Sequence, residues 1–224
     1  MITLIKLFRK GYIFLFYGKG YQWVIRSFSF FRPVFQTRGN ESPIPFKQWF
    51  RFISAPFKNV PYWPVHPTSM IRGSWKNVYV GIDAAPGISP GCYILAIGKV
   101  YIDDYAQIAP NVGILTGNHF MLDIRKDILG EVRIWKYCRI GIGSIIHPNV
   151  TLGDFTTVAA GTIVTRSFSE GYCVIAGNPA KIVADYSKNE KIKEKLLRYK
   201  NEFEYNGFIP HREFEAFRRK YLNV

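Results

Sequence analysis

Cysteine is scarce in this 224-residue chain: there are three, Cys92, Cys138 and Cys173, an odd number with no C-x-x-C spacing. That excludes a disulfide framework and a thiolate zinc site, and makes a reducing compartment the default. Long apolar runs are missing too. No run approaches the ~18 to 20 residues of a membrane-spanning helix, and no clean apolar stretch ends in a small-residue cleavage site, so no secretory signal is expected. Acidic residues are few, 16 Asp and Glu against 30 Lys and Arg, for a net charge of +14. With 48% hydrophobic and 21% charged residues, wholesale disorder and collagen-like repetition are excluded, and the length suffices to bury a core without staples.

The positive charge is unevenly placed. Residues 1–60 hold ten Lys and Arg against one acidic residue, whereas residues 61–184 hold ten against eight. An anionic neighbour for the N-terminal quarter alone follows. Residues 1–33 are also rich in Phe, Tyr, Trp and Ile, interrupted by Lys6, Arg9, Lys10 and Lys19. Two arrangements fit this: a basic aromatic segment lying in the interface of an anionic membrane, or one or two helices packing their aromatics onto the main domain. Five prolines between residues 40 and 64 read as an extended connector, so residues 1–62 form an N-terminal appendage. From residue 185 onward glycine nearly vanishes. Ile192, Leu196, Leu197 and Tyr199 then fall near helical spacing, and a second helix is expected over 211–222.

Between the appendages an aliphatic residue returns every six positions: Ile134, Ile140, Ile146, Leu152, Val158, Val164. Four places after each of the first five stands a small or β-branched residue, Cys138, Ser144, Val150, Thr156 and Thr162. The same beat occurs upstream as Ile88 and Ile94, then, after a slip of two, as Ile102, Ile108 and Ile114. A six-residue unit is too short for a helical repeat. It fits short strands bent into a three-sided coil of 18 residues, each coil burying its apolar side chains by stacking on the next. The beat stops after His119 and resumes at Ile134, leaving residues 120–133 as an excursion from the coil. Such loops are where function tends to sit.

These residues resemble the hexapeptide-repeat acyltransferases, and among them the sugar and polysaccharide O-acetyltransferases. The resemblance spans about Trp63 to Val183 and rests on Ile88-Ser89-Pro90-Gly91-Cys92-Tyr93, on Ile108-Ala109-Pro110-Asn111-Val112 with Asn118-His119, on the hexad run, and on the closing Gly177-Asn178-Pro179-Ala180-Lys181. It implies a mainly β chain, a left-handed parallel β-helix over residues 63–184 with N- and C-terminal helices, assembled as a homotrimer with active sites between subunits. It further implies transfer of an acetyl group from acetyl-CoA to a sugar or glycan hydroxyl, with no metal. On this likeness His119 is the general base, Asn118 meets the acceptor, and Asp123 is the acceptor-side carboxylate nearest to orient the imidazole. Gly141, Gly143, Ala159, Ala160, Thr165, Arg166 and Lys181 match the positions that line the CoA channel, the small residues admitting the pantetheine and the two cations meeting phosphates. One departure concerns that channel: the family's tryptophan is replaced by Arg139, and Trp135 stands four positions earlier.

Other readings are weaker. A zinc carbonic anhydrase on the same prism would show paired histidines five apart, and neither His119 nor His147 has such a partner. A serine acetyltransferase carries a long helical domain and no loop of this kind; amino-sugar N-acetylation and a non-enzymatic scaffold are further alternatives. No nucleic-acid recognition motif accompanies the basic N-terminus. The expected location is cytoplasmic, with peripheral contact of residues 1–33 at the membrane's cytoplasmic face.

Overall fold

The computed structural model describes Val34, residues 45–53, Pro61 and residues 63–202. Residues 1–33, most of the connector and the expected second C-terminal helix lie outside them. Helix α1 (Phe46–Ile53) precedes sixteen strands, and helix α2 (Glu190–Glu202) follows them.

Fourteen of the strands build a three-sided parallel coil closed by one antiparallel strand, and two more form a hairpin thrown out of it. The first face stacks β1 (Met70–Gly73), β3 (Tyr93–Ala96), β6 (Gly113–Leu115), β11 (Ile145–Ile146) and β14 (Ile163–Val164). The second stacks β2 (Val78–Val80), β4 (Lys99–Ile102), β9 (Glu131–Ile134) and β12 (Thr151–Leu152). The third stacks β5 (Gln107–Ile108), β10 (Arg139–Ile140), β13 (Thr157–Val158) and β15 (Cys173–Ala176), with β16 (Lys181–Asp185) antiparallel on its edge. In the regular part Ile134 pairs with Leu152, Ile140 with Val158 and Ile146 with Val164, each 18 residues on, so three hexads make one coil.

Alternation along each short strand sets the core. The six hexad aliphatics from Ile134 to Val164 are each at most 2% exposed, worth about 1.5 to 3 kcal/mol apiece in removed apolar surface. The second position of the repeat also points inward: Cys138, Ser144, Val150, Thr156 and Thr162 are at most 1% exposed. Their polar atoms mostly find backbone carbonyls. Ser144 Oγ donates to Ala159 O at 2.9 Å, Thr156 Oγ1 to Gly153 O at 2.7 Å, and Cys138 Sγ to the same Gly153 O at 3.1 Å. Burial pushes the Cys138 thiol up to about 12.

The three corners differ in chemistry. Between the second and third faces Tyr105, Tyr137, Phe155 and Tyr172 occupy equivalent positions of successive coils, all with φ between +50° and +59°. Their rings stack at 5.0, 4.8 and 5.3 Å. A left-handed conformation costs ~1–2 kcal/mol per non-glycine residue, and an aromatic pair returns ~0.5–1.5 kcal/mol beyond the area it buries, so the ladder offsets much of its own strain. Between the third and first faces lies a corner at which Gly141-Ile142-Gly143 stacks on Ala159-Ala160-Gly161, small residues apart from Ile142, with Gly161 N donating to Ile142 O at 2.8 Å. The hairpin leaves from the remaining corner, between the first and second faces.

The N-terminal end of the prism is covered. Trp63, fully buried, meets Trp75 edge-on at 6.3 Å and donates its Nε1–H to Pro86 O at 2.9 Å. From α1, Trp49 joins the same core. At the other end Asn189 caps α2, its Oδ1 accepting from Ile192 N at 3.2 Å, and Lys193 Nζ lies 5.5 Å from the Tyr172 ring at the end of the aromatic ladder.

Candidate active site

Where the regular coil advances 18 residues, Ile102 pairs with Ile134 and Ile114 with Ile146 across 32, so 14 residues are inserted. They form an antiparallel hairpin, β7 (Gly117–Phe120) with β8 (Asp123–Leu129). The excursion expected over residues 120–133 is therefore placed differently: His119 lies within the hairpin, and Glu131 to Arg133 already belong to β9, with Val132 fully buried. The shift has a simple reason. Residues 123–129 are largely exposed on both sides of the hairpin, so no alternation marks them as a strand. Its base is fixed by Thr116, which is fully buried: its Oγ1 donates to Leu95 O and accepts from Gly98 N, while its carbonyl accepts from Gly130 N at 2.7 Å. A side chain at Gly98 would run into Gly130 O at 2.1 Å, so this crossing requires glycine.

The hairpin register sets His119 directly across from Asp127, and His119 Nδ1 stands 3.2 Å from Asp127 Oδ1. Asp127, not Asp123, is the carboxylate at the imidazole. Asp123 is engaged by Arg125, whose Nε and Nη2 lie 2.8 and 3.2 Å from its two oxygens, with Lys126 Nζ at 3.9 Å. The Arg125 side chain and backbone N–H hold the Asp123 carboxyl below the usual carboxylate range. Sequence reasoning missed Asp127 because the partner of His119 depends on where the hairpin turns, and the nearer acid in sequence was the natural choice. A turn at Met121 and Leu122 alone would set His119 opposite Ile124; the register shift between His119 and Phe120 brings it across from Asp127 instead. Asn118 is exposed, its Oδ1 accepting from His119 N at 2.9 Å. The other described histidines lie elsewhere: His66 Nδ1 pairs with Thr68 Oγ1 at 2.8 Å, and half-buried His147 continues the first face beyond β11.

The remaining expected site residues fall on two corners. Thr165 and Arg166, both exposed, follow β14 on the hairpin corner, two coils beyond Thr116, and Arg166 leans over the Phe168 ring at 5.2 Å. Gly141, Gly143, Ala159 and Ala160 form the small-residue corner, and Lys181 opens β16 beside it, exposed, paired with Ala176. The first face separates the two groups. The glycines themselves differ: a Cβ at Gly141 would meet Ala160 N at 2.6 Å and Val158 O at 2.7 Å, whereas one at Gly143 or Gly161 would meet nothing within 4 Å. Gly141 is thus required by coil stacking, while Gly143 and Gly161 face open space. Arg139 points outward on the third face between Gln107 and Thr157, and Trp135, 47% exposed, extends the second face, so the tryptophan does not occupy the place left at 139.

Below the hairpin a groove of about 420 Å³ is lined by Asn77, Ile97, Gly98, Lys99, Leu129 and Glu131, with Gly130 and Asn149 closing it. Glu131 Oε1 accepts from Arg133 Nε at 2.8 Å, and that guanidinium lies 4.3 Å from the Tyr101 ring centre. The Arg133 bond lowers Glu131, keeping a negative charge at the rim. Among the described residues no three His, Cys, Asp or Glu side chains converge as metal ligands.

Comparison with known proteins shows the class to which this three-sided hexapeptide coil, with a histidine on an inserted hairpin, belongs. Nodulation protein L of Rhizobium meliloti is 35% identical over 143 residues, 61% of this chain and 75% of that protein. Galactoside O-acetyltransferase of Escherichia coli K12 is 34% identical over 98 residues, 41% of this chain and 47% of the enzyme. A solved structure of a galactoside acetyltransferase in complex with coenzyme A superposes with a TM-score of 0.50 at 27% identity, covering 58% of this chain and 64% of that one. No family profile matches the sequence. The chain belongs to the hexapeptide-repeat acyltransferase family, and its coil is the left-handed β-helix of that family. It spans 59%, 62% and 47% of the length of three of its curated relatives.

Proposed function

We propose that the protein transfers an acetyl group from acetyl-CoA to a hydroxyl of a sugar or lipid-linked glycan during surface polysaccharide biosynthesis, with His119 as general base. The observation that carries this reading is the His119–Asp127 pair on a hairpin inserted into a hexapeptide coil. A Nδ1–H donated to Asp127 leaves Nε2 with a free lone pair. His119 then takes the acceptor hydroxyl proton as the oxygen attacks the thioester carbonyl, and returns it to the departing thiolate, so an ester and a thiol form with no net proton change. Asp127 holds the ring in that tautomer and stabilises the imidazolium formed in between. Asn118 and Asp123 stand on the same hairpin, where an acceptor would meet the imidazole.

Acetyl-CoA supplies the activated acetyl group. The residues fit it: open backbone at Gly143 and Gly161 with exposed Ala160 admits a pantetheine chain, and exposed Arg166 and Lys181 offer cations for phosphates. Within one chain the histidine corner and the small-residue corner lie at opposite edges of the first face. A site that uses both is completed when the hairpin corner of one subunit meets the small-residue corner of the next, as in a homotrimer. The outer surface of the first face supports that assembly, with Met70, Tyr93, Leu95, Leu115, Ile145 and Ile163 pointing outward along it. Met121, Leu122 and Ile124 at the hairpin, 74 to 88% exposed, are available for the same contact.

The protein acts in the cytoplasm, and its basic N-terminal segment, residues 1–33, brings it to anionic lipid on the membrane's cytoplasmic face. No described helix is long and apolar enough to cross a membrane. Sedimentation with anionic liposomes at low salt tests this part: protein left wholly in the supernatant contradicts it. The catalytic part is tested by incubating the protein with radiolabelled acetyl-CoA and a panel of glycan acceptors. Alkali-labile label on a glycan, reduced roughly 10²-fold or more in His119→Ala, is the expected result; near-normal turnover in that variant removes His119 from the chemistry.

A further inference from the structure

The groove below the hairpin takes no part in the chemistry assigned to His119, yet it begins beside that residue. Regular pairing puts His119 across from Asp127 and Gly117 across from Leu129. Asp127 and Leu129 are two residues apart on one strand, so their side chains stand on the same side of the hairpin, ~7 Å along it. Leu129 lines the groove. Ile97 forms the wall beside it, packed so close to Gly117 that a Cβ there would meet Ile97 Cδ1 at 2.5 Å. An apolar wall therefore runs from the groove to the strand that carries the histidine.

The polar side of the groove is a ladder. Lys99, Glu131 and Asn149 head the second face in successive coils: Lys99 pairs with Glu131, and Asn149 N donates to Glu131 O at 2.7 Å. Arg133, lying over the Tyr101 ring, donates to Glu131 Oε1 at 2.8 Å and fixes the carboxylate. Among the described residues, Glu131 Oε2, Lys99 Nζ and Asn149 Nδ2 take no hydrogen-bond partner. A donor, an acceptor and a donor in a row beside an apolar wall match a sugar ring, whose hydroxyls give and accept hydrogen bonds while its C–H face is apolar. A phosphate fits worse, because the carboxylate stands in the middle of the row. The groove, about 420 Å³, has the size of a small-molecule site.

One ring does not serve both places. Stacked strands make the ladder ~10 Å long, and it lies beyond the ~7 Å that separate the groove from the His119–Asp127 pair. We infer that the groove is a subsite for the sugar next to the one acetylated, with Ile97 and Leu129 against its C–H face and Lys99, Glu131 and Asn149 on its hydroxyls. This rests on the reading of acetyl transfer to a glycan and narrows it: the acceptor is an oligosaccharide, and Lys99 and Glu131 set the preference for it over a single sugar.

The test uses the full chain and acetyl-CoA, with glucose, galactose, N-acetylglucosamine and their oligomers as acceptors, the acetylated product being measured by mass spectrometry. The natural protein acetylates a disaccharide with kcat/KM roughly tenfold or more above that for its monosaccharide, the difference lying in KM, as a hydrogen bond to a charged group provides. The double variant Lys99→Ala, Glu131→Gln, in which the new amide oxygen still accepts from Arg133, loses that preference. An undiminished preference in the variant overturns the subsite. So does an equal loss on single sugars and oligomers, which marks a structural role, and so does a natural protein indifferent to acceptor length; each leaves acetyl transfer standing. Transfer to no sugar by a protein that still binds acetyl-CoA overturns the glycan reading itself, and the subsite with it.

Discussion

His119 and Asp127 face each other across the two strands of the inserted hairpin, Nδ1 to Oδ1 at 3.2 Å, with both side chains at least half exposed. In so open a setting the pair contributes little to stability; its consequence is orientation of the imidazole. Asp127→Asn is therefore expected to lower kcat by at least roughly tenfold with KM for acetyl-CoA nearly unchanged. Asp127→Glu recovers part of the loss, and Asp123→Asn, whose carboxylate serves Arg125 on the acceptor side, changes KM for the acceptor rather than kcat. Steady-state kinetics on the three variants check this.

Gly141 and Gly143 lie two residues apart, yet alanine should affect them differently. At Gly141 a methyl meets the backbone of the next coil at 2.6 Å, so Gly141→Ala must spread two coils and is expected to cost ~3 kcal/mol or more. At Gly143 nothing lies within 4 Å, and the backbone, with φ +69°, costs an alanine only ~1–2 kcal/mol. Urea unfolding of both variants gives the comparison.

Tyr137 sits at the centre of the aromatic ladder with φ +58°. Removing the ring should destabilise by ~3 kcal/mol or more. Tyr137→Gly should be less damaging than Tyr137→Ala by ~1 kcal/mol, because glycine also relieves the left-handed backbone. Equal losses in the two variants would show that the backbone there is unstrained.

Cys138 has its thiol raised by burial from 9.0 to about 12. The folded protein keeps that proton where the unfolded chain releases it, so stability is intact below pH ~9 and falls as pH rises from there toward the folded value. Cys138→Ala should flatten this alkaline decline in denaturant titrations across the same window. A thiol reagent should find no reactive cysteine in the native protein and three after unfolding.

Much of the fold was legible because the repeat is enforced at every coil: Ile134, Ile140 and Ile146 each face the interior, and an 18-residue coil follows from three hexads. His119 stood out since it adjoins the break in the beat. The hairpin did not, because residues 123–129 bury little and so carry no period, and the partner of His119 was misplaced by four residues as a result. The aromatic ladder was invisible for another reason. Tyr105, Tyr137, Phe155 and Tyr172 take corner positions that usually go to glycine or asparagine, and only stacking along the coil makes aromatic residues tolerable there. The separation of Arg166 from Gly143 by a whole face likewise depends on which strands share a sheet.

Calorimetric titration of the purified protein with acetyl-CoA tests the central claim without knowledge of the acceptor. The account predicts saturable binding at roughly micromolar concentration, at one site per chain, weakened when Arg166 and Lys181 are replaced by alanine and unchanged in Asp127→Asn. A folded, oligomeric protein that takes up no acetyl-CoA would contradict it and leave the β-helix as a scaffold.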